Sequence, residues 1–329
     1  MILVVCLNPA LDITHHVPAV DWAGVNRPRA VEVRPGGKGL NVARTLLALG
    51  AEVLVIGLAG GTTGEAVRAR LAELAVPSAL TPIAAETRRT FAVLDQARRT
   101  CALFNEPGPA IDAAAFREFQ QLFERSVAGS QAVVLSGSLP PGLPAGTYAA
   151  LTRTARAARG ADGAAVPVVL DAHGDALRLG AAAGPAIVKP NLDELEDLAG
   201  QPLSLAGDGT GRPAVASAAT GLRAAGAEAV VVSLGPAGLR ADTADGGWQA
   251  VPPVVDAINP TGAGDAVVAG LTLGLVTGQP WPDRLRDAAA LGTAAVLAPV
   301  AGEFGPDDYK RVRADVMVTE MPERNGGDR

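Results

Sequence analysis

Short, continuous apolar runs alternate with helix-like segments along most of the chain. ILVVCL (2–7), EVLVIGLAGG (52–61) and AVVLSGSLP (132–140) show the pattern. Each run ends in glycine, proline or polar residues, which is typical of buried β-strands. The same pattern predicts strands at 166–174, at the start of 186–200 and at 227–235. Strands that are apolar throughout indicate a parallel sheet covered on both faces.

Apolar residues spaced three and four apart predict helices between these strands. GEAVRARLAELAV (64–76) has this spacing, and NVARTLLALG (41–50) closes on a glycine, a common helix end. Further helices are predicted at 147–160, in the second half of 186–200, at 264–278 and at 285–302. Alternating strands and helices predict an α/β fold, in which ligands bind at the carboxyl ends of the strands.

Two segments interrupt this alternation. Residues 12–34 lack helical spacing, and residues 87–107 alternate partly around a polar turn. We predict antiparallel strands in both, combined into a small sheet that covers the site as a lid. Because such a sheet has an exposed face, a homodimer through the lid sheets is a further expectation.

The 329 residues are predicted to form one domain over 1–313. We expect the tail, 314–329, to be disordered. Two Ala/Gly-rich stretches, 155–165 and 206–226, are predicted to be surface linkers or loop insertions.

The net charge of −6 argues against nucleic acid or an anionic membrane as a partner, since both favour basic faces. No apolar run reaches the roughly 18 residues of a membrane span. Cys6 and Cys101 are the only cysteines, and we expect both to be buried, unpaired thiols in a reducing compartment. The sequence therefore predicts a cytoplasmic protein.

The glycine-rich segment PGGKGLNVAR (35–44) is a candidate ligand site. Gly36 and Gly37 would let a ligand approach the backbone, and the helix start that follows presents free N–H groups. Lys38 adds a positive charge and Asn41 adds hydrogen bonds. The alternative is an ordinary turn with a solvent-exposed lysine.

Three strand ends carry residues that could touch a ligand. Asp12, in NPALD, could bind sugar hydroxyls or could be a turn residue. Ser136, in SGSLPPG, leaves room for a ligand, although the segment alone is an ordinary turn. SLGPAGL (233–239) is suited to a flat nucleotide. The chain contains neither a P-loop nor the G-x-G-x-x-G fingerprint.

VKPNLDELEDL (188–198) places Lys189, Asn191 and Glu194 together after a strand. Asn191 and Glu194 could organise water around Mg²⁺, which favours oxygen ligands and keeps several waters. They could equally cap the following helix, since their spacing is that of a capping box.

The segments NPALD, PGGKGLNVAR, GGTTGE, ETRRTF, SGSLPPG, IVKPNLDE, VVVSLGPAG and NPTGAGDAVVAG occur in this order. Together they resemble the ribokinase-like phosphofructokinase B family of carbohydrate kinases, particularly its 1-phosphofructokinase and tagatose-6-phosphate kinase branch. The resemblance runs from Ile2 to about Gly302. It implies a ribokinase-like three-layer α/β/α core with a mostly parallel sheet and a small β-sheet lid. It also implies ATP and Mg²⁺ as cofactors.

The resemblance implies a role for each matching residue. Asp265 would be the catalytic base, and the backbone at Gly262, Ala263 and Gly264 would bind the charge on the moving phosphoryl group. The sugar would be held by Asp12, Gly36, Gly37, Lys38, Asn41 and Ser136, and its phosphate by Arg88, with Arg27 a weaker candidate. The nucleotide would be lined by Lys189, Ser233, Gly235, Gly238 and Asn259, and Mg²⁺ would be reached through water by Asn191 and Glu194.

The resulting hypothesis is transfer of the ATP γ-phosphate to a phosphorylated ketohexose. Fructose-1-phosphate, fructose-6-phosphate and tagatose-6-phosphate stay open, and Lys38 with Arg88 favours a phosphorylated acceptor. The alternatives are a kinase for an unphosphorylated sugar or nucleoside, and a non-catalytic sugar-phosphate-binding protein. DAHG departs from the family's Asp-Thr/Ser-Ser-Gly pattern, and we assign its His173 to a loop rather than to the site.

Overall fold

The structure is a computed structural model that describes residues 1–98, 100–203, 212–300 and 302–321. Its strands in these ranges are β1 (Ile2–Cys6), β2 (Ala10–Val17), β3 (Ala30–Gly36), β4 (Val53–Gly60), β5 (Ser78–Ile83), β6 (Arg88–Asp95), β7 (Thr100–Asn105), β8 (Ala132–Ser136), β9 (Val168–Asp171), β10 (Ile187–Val188), β11 (Val230–Ser233), β12 (Leu239–Thr243), β13 (Gly246–Val251) and β14 (Met317–Met321). Its helices are α1 (Lys38–Ala48), α2 (Gly61–Glu73), α3 (Ala113–Val127), α4 (Thr147–Ala157), α5 (Gly174–Ala181), α6 (Leu192–Ala199), α7 (Arg212–Ala225), α8 (Ala263–Val276), α9 (Trp281–Leu297) and α10 (Pro306–Asp315).

Ten of the described strands form one sheet in the order β14-β13-β12-β11-β10-β9-β8-β1-β4-β5. The strands from β11 to β5 are parallel, and β12, β13 and β14 extend the sheet in antiparallel fashion. The predicted α/β fold with a mostly parallel sheet is confirmed. Because the parallel strands share a direction, their carboxyl ends and the loops after them lie along one edge of the sheet.

Helices cover both faces of this sheet. On β1, Ile2 and Val4 pack into a cluster with α1, α8 and α9, whereas Leu3 and Val5 pack into a second cluster with α3 and α4. Successive side chains of a strand point to opposite faces, so a strand buried on both must be apolar throughout. This explains the continuous apolar runs in the sequence and gives three layers.

The lid is a separate four-stranded sheet in the order β3-β2-β6-β7. The pairs β2–β3 and β6–β7 are antiparallel, as predicted, but β2 and β6 pair in parallel. The expectation of a purely antiparallel lid was therefore wrong. The two hairpins come from separate passes of the chain, and both leave the core in the same direction, so their inner strands run alongside each other.

Two predicted irregular segments contain regular structure. Residues 317–321 of the expected tail form β14, which pairs with β13, whereas 322–329 lie outside the described residues. Within the expected linker 206–226, Arg212–Ala225 forms α7, and 204–211 lie outside the described residues. Its buried face contains Val215, Ala219 and Leu222. Alanine contributes little to an apolar stripe, so the helical spacing was obscured.

The two cysteines differ in environment. Cys6 is buried beneath the site, but Cys101 is exposed on β7, the edge strand of the lid, contrary to the expectation. In the described ranges, none of the helices combines the length and apolarity required to cross a membrane.

Candidate active site

A cavity of about 890 Å³ lies where the lid meets the carboxyl edge of the main sheet. Residues from both sheets line it, so distant parts of the sequence come together here. The predicted site residues that line it are Asp12, Gly37, Lys38, Asn41, Arg88, Lys189, Asn191, Ser233, Gly235, Gly238, Gly262, Ala263, Gly264 and Asp265. Motifs that lie far apart in the sequence therefore line the same cavity.

Asp265 lies in the first turn of α8 and is 5% exposed. Gly262 precedes the helix with a φ of 87°, a left-handed conformation that favours glycine. The helix start directs free backbone N–H groups toward the cavity, where they can bind an anion. Asn41, on α1, donates a hydrogen bond from Nδ2 to Oδ2 of Asp265 at 2.8 Å.

The environment of Asp265 suits a proton acceptor. Burial raises the pKa of its carboxyl to about 7, and the nearby charge of Asp171 acts in the same direction. Lys38, Asn41 and Lys189 partly offset this rise in pKa. A carboxylate that titrates near neutral pH combines a useful ionised fraction with enough basicity to take a proton.

Asp171 is a site residue that the sequence reasoning missed. It closes β9, is fully buried, and its Oδ1 lies 3.3 Å from Nζ of Lys189 and 3.4 Å from Nζ of Lys38. Burial raises the pKa of Asp171, but the charges of Lys189 and Lys38 leave it below its ordinary value. Its position at a strand end, in VPVVLDAHG, was the available signal.

Lys38 is held between two acids. Its Nζ lies 3.4 Å from Oδ1 of Asp171 and 3.4 Å from Oε1 of Glu194. Burial lowers the pKa of Lys38, but these carboxylates and Asp265 raise it above its usual value. Lys38 is therefore a permanent positive charge in the cavity. Ser136 lies below the cavity surface and donates to Oδ2 of Asp171 at 3.3 Å, so its predicted contact with substrate gives way to a supporting bond.

The lid side of the cavity contains Asp12 and Arg88. Burial raises the pKa of Asp12, and Thr90 and Arg88 offset part of that rise. Nε of Arg88 donates to the carbonyl of Asn8 at 3.1 Å, and Nη1 donates to the carbonyl of Glu106 at 3.2 Å. These bonds fix one edge of the guanidinium. The guanidinium has five N–H donors, and those not used in these two bonds are available to an anion in the cavity.

Gly36 acts through Asp12 rather than through the cavity surface. A Cβ at Gly36 would lie 1.9 Å from Oδ2 of Asp12, so a larger residue would displace that carboxylate. The neighbouring Gly37 has a φ of 108° and lines the cavity. Glycine at both positions thus shapes the part of the cavity next to Asp12.

Asn191 and Glu194 form the capping box at the start of α6 that the sequence allowed. Oδ1 of Asn191 accepts from the Glu194 N–H at 2.7 Å, and Oε2 of Glu194 accepts from the Asn191 N–H at 2.9 Å. Among the described residues, no three His, Cys, Asp or Glu side chains come together as a metal site. Both carboxylate oxygens of Glu194 already have partners, the Asn191 N–H and Lys38, so the chemistry of this pair would fit a partly hydrated Mg²⁺ reached through water.

The far end of the cavity has the character expected of a nucleotide site. Ser233, Gly235 and Gly238 lie here, and a Cβ at Gly238 would come within 2.0 Å of the Ala250 carbonyl. Apolar side chains complete this end: Leu234, Leu239, Pro252, Pro253, Val254, Val255 and Val296. Val254 is 98% exposed, which leaves an apolar surface available to a flat ring.

Like Gly36 and Ser136, Glu194 does not line the cavity, and three further residues also lie outside it. Arg27 is exposed in the loop between β2 and β3 and does not reach the cavity of its own chain. Asn259 makes a turn instead, accepting from the Thr261 N–H at 2.9 Å. His173 lines a separate, smaller pocket, in agreement with its assignment to a loop.

The sequence matches the family model described as pfkB family carbohydrate kinase over residues 3–307. Phosphofructokinase-2 from Escherichia coli in complex with potassium is 32% identical, with 95% of this chain and 98% of that chain covered and a TM-score of 0.85. The same E. coli enzyme in complex with fructose-6-phosphate gives equal identity and coverage and a TM-score of 0.83. A possible 1-phosphofructokinase from Thermotoga maritima is 25% identical, covering 98% of this chain and 100% of that chain, with a TM-score of 0.82. These matches confirm the predicted resemblance and the ribokinase-like fold.

Proposed function

This chain belongs to the pfkB family of carbohydrate kinases, and on that premise we propose that it transfers the γ-phosphate of ATP to a hydroxyl of a fructose phosphate. The observation that carries the proposal is the position of Asp265. It is buried at the N-terminus of α8, bonded to Asn41, and shares one cavity with Arg88 and the apolar nucleotide end.

In the proposed reaction, Asp265 takes the proton of the acceptor hydroxyl. The hydroxyl oxygen bonds to the γ-phosphorus as the bond from that phosphorus to the β–γ bridging oxygen breaks, which releases ADP. Backbone N–H groups at 262–264 stabilise the charge that spreads over the moving phosphoryl oxygens. General-base catalysis of this kind contributes about 10²–10⁴-fold, and positioning adds to it.

A phosphorylated acceptor fits the distribution of charge. The chain carries a net charge of −6, so two phosphorylated ligands need positive charge concentrated at the site. Lys38, Lys189 and Arg88 line the cavity and supply it, the two lysines next to each other at Asp171 and Arg88 from the lid. Arg88 is at the start of lid strand β6 and lines the cavity, which supports a role in binding a phosphate already on the sugar.

Mg²⁺, when bound with ATP, would neutralise charge on the β- and γ-phosphates. Glu194 has one carboxylate oxygen on the Asn191 N–H and the other 3.4 Å from Lys38. It would therefore act on the ion through water, with its orientation fixed by the capping box.

The choice among sugar phosphates is narrower than the motifs alone allowed. One similar structure is that of an enzyme in complex with fructose-6-phosphate, and another is described as a possible 1-phosphofructokinase. Both support a fructose phosphate as the acceptor, whereas tagatose-6-phosphate is supported only by the motif resemblance.

We also propose that two copies associate through the lid sheets. β7 is an edge strand of the lid, and its Leu103 and Phe104 are each about half exposed. An exposed edge strand with apolar side chains favours association. Sedimentation at micromolar concentration should give a dimer, and a monomer at that concentration would contradict this part of the proposal.

A phosphorylation screen with ATP and Mg²⁺, followed by ADP release, tests the proposed reaction. The acceptors are fructose-1-phosphate, fructose-6-phosphate, tagatose-6-phosphate, free fructose, ribose and adenosine. We expect the highest kcat/KM with one of the two fructose phosphates. Preference for an unphosphorylated acceptor would overturn the substrate class, and tight sugar-phosphate binding without ADP release would indicate a non-catalytic protein.

A further inference from the structure

Glu303 joins the lid to the core beside the active site. Its Oε1 accepts a hydrogen bond from Nη1 of Arg34, on lid strand β3, at 2.6 Å. The same oxygen accepts from Nη2 of Arg44, on core helix α1, also at 2.6 Å. Three segments distant in sequence therefore meet at one carboxylate: the lid, α1, and the loop between α9 and α10.

The burial of Arg44 makes this contact more than a surface ion pair. The Arg44 side chain is 9% exposed, and burial lowers the pKa of its guanidinium, an effect that the charge of Glu303 opposes. Exposed ion pairs contribute little to stability, but removing the anion beside a buried cation is costly. Glu303, itself 43% exposed, therefore links α1 through Arg44 and the lid through Arg34 at one point, and the charge of Asp12 also acts on Arg44.

Both arginines lie next to residues that would handle the sugar. Arg34 is directly opposite Asp12 in the β2–β3 pairing. Arg44 is one helical turn beyond Asn41, whose side chain bonds to the catalytic base. A displacement of β3 against α1 would therefore separate the sugar-binding carboxylate from the catalytic pair.

The backbone before Glu303 packs directly on Asn41, the partner of Asp265. A Cβ at Gly302 would lie 2.9 Å from Oδ1 and 3.0 Å from Cα of Asn41, so the chain approaches Asn41 as closely as glycine allows. The Glu303 carboxylate and the Gly302 backbone thus contact two successive turns of α1. Any movement of this loop would act on the helix that carries Asn41.

We propose that Glu303 is a positioning residue. It fixes the position of lid strand β3 relative to α1, and so the distance from Asp12 to the Asn41–Asp265 pair. It does not line the cavity, so the proposed role is exerted through Arg34 and Arg44. The inference rests on the proposed function for its kinetic consequence, but its structural consequence, a fixed lid strand, is independent of the substrate.

The kinetic test compares Glu303→Gln and Arg34→Met with the control Glu228→Gln. Glu228 also pairs with an arginine at 2.6 Å, Arg156, but on the surface of the core. We expect both test variants to raise the KM for the sugar phosphate about five- to tenfold, with the KM for ATP changed less than about twofold. In the double variant Glu303→Gln/Arg34→Met, the KM for the sugar phosphate should be no higher than in the more affected single variant, because both substitutions remove the same Glu303–Arg34 contact.

Amide hydrogen exchange in β2 and β3 tests the same proposal without turnover. Exchange there should be faster in Glu303→Gln and in Arg34→Met than in Glu228→Gln at matched stability. If the wild type phosphorylates no sugar phosphate, the proposed function fails, and the exchange result still decides the role of Glu303. If the wild type is active and Glu303→Gln matches Glu228→Gln in both the sugar KM and exchange, the positioning role is wrong. Arg34→Met keeps the test decisive should Glu303→Gln fold poorly, since Arg34 is the more exposed of the two arginines.

Discussion

Asn41 and Asp265 are 224 residues apart in the sequence and are joined by one hydrogen bond of 2.8 Å between their side chains. The bond connects α1, which follows the GGKG turn, with α8, which follows the GAG turn. It orients the carboxylate of Asp265, and because Nδ2 donates to the charged form, it lowers the pKa that burial raises. The helices that begin at the two glycine motifs are thus joined at one carboxylate.

The pH dependence of kcat/KM for the sugar phosphate tests whether the hydrogen bond from Asn41 affects the pKa of Asp265. Since Asp265 has a pKa of about 7, the ionised base increases as the pH rises, and kcat/KM should rise through about pH 7. Asn41→Leu removes a hydrogen bond to the charged form and should move the midpoint upward by about one unit. An unchanged or lower midpoint in Asn41→Leu would show that the bond does not tune the base.

Alanine substitutions at the glycines on either side of α8 distinguish an effect on catalysis from an effect of backbone strain. Gly262, before the helix, has a φ of 87°, and Gly278, after it, has a φ of 67° with no atom within 4 Å of an added Cβ. Alanine at either position should cost about 1–2 kcal/mol of stability, since both need a left-handed conformation. Only Gly262→Ala should also lower kcat, by about 10–100-fold, because it displaces the N–H groups that face the phosphoryl group. Equal activity in the two variants, measured by ADP release and thermal unfolding, would remove the anion-binding role.

Arg88 and its neighbour Arg89 form a second matched pair. Arg88 lines the cavity, whereas Arg89 pairs with the Glu106 carboxylate on the other face of the lid at 3.0 Å. Arg88→Ala should lower kcat/KM for a fructose phosphate by about 100-fold or more, since it removes a charged donor to phosphate. Arg89→Ala should leave it within about twofold. If Arg88→Ala retains full activity on the sugar phosphate, the acceptor's phosphate binds elsewhere.

Glu194 can be tested as a Mg²⁺ partner separately from its role as a helix cap. Glu194→Gln keeps the capping box, which accepts glutamine, but removes the charge. The Mg²⁺ concentration for half-maximal rate should rise about tenfold while the melting temperature stays within a few degrees. Asp197→Asn, an exposed change on the same helix, is the control. A loss of stability without a change in Mg²⁺ dependence would make Glu194 a cap only.

The glycines of the motifs could be predicted where the reason for them is local. The left-handed φ at Gly37 and Gly262 is a property of a short segment, whereas the need for glycine at Gly36 comes from the Asp12 carboxylate on a neighbouring strand. The strands of the core could also be predicted, because burial on both faces requires continuous apolar runs.

Features that depend on distant pairings could not be predicted in this way. Asp171 has a strand-end position like many others, and its importance lies in the two lysines that surround it in space. The parallel pairing of β2 with β6 depends on the direction in which two separate hairpins leave the core. The edge strand β14 was missed because it is largely exposed and therefore lacks the continuous apolar run of a strand buried on both faces.

Asp265→Asn tests the central claim most directly, with ligand binding and turnover measured on the same preparation. Asparagine has nearly the same shape and cannot accept the hydroxyl proton. We expect kcat to fall at least about 100-fold, with the dissociation constants of ATP and the fructose phosphate each changed less than about threefold. A variant that retains most of the wild-type kcat, or that loses ligand binding in proportion to rate, would contradict the assignment of Asp265 as the catalytic base.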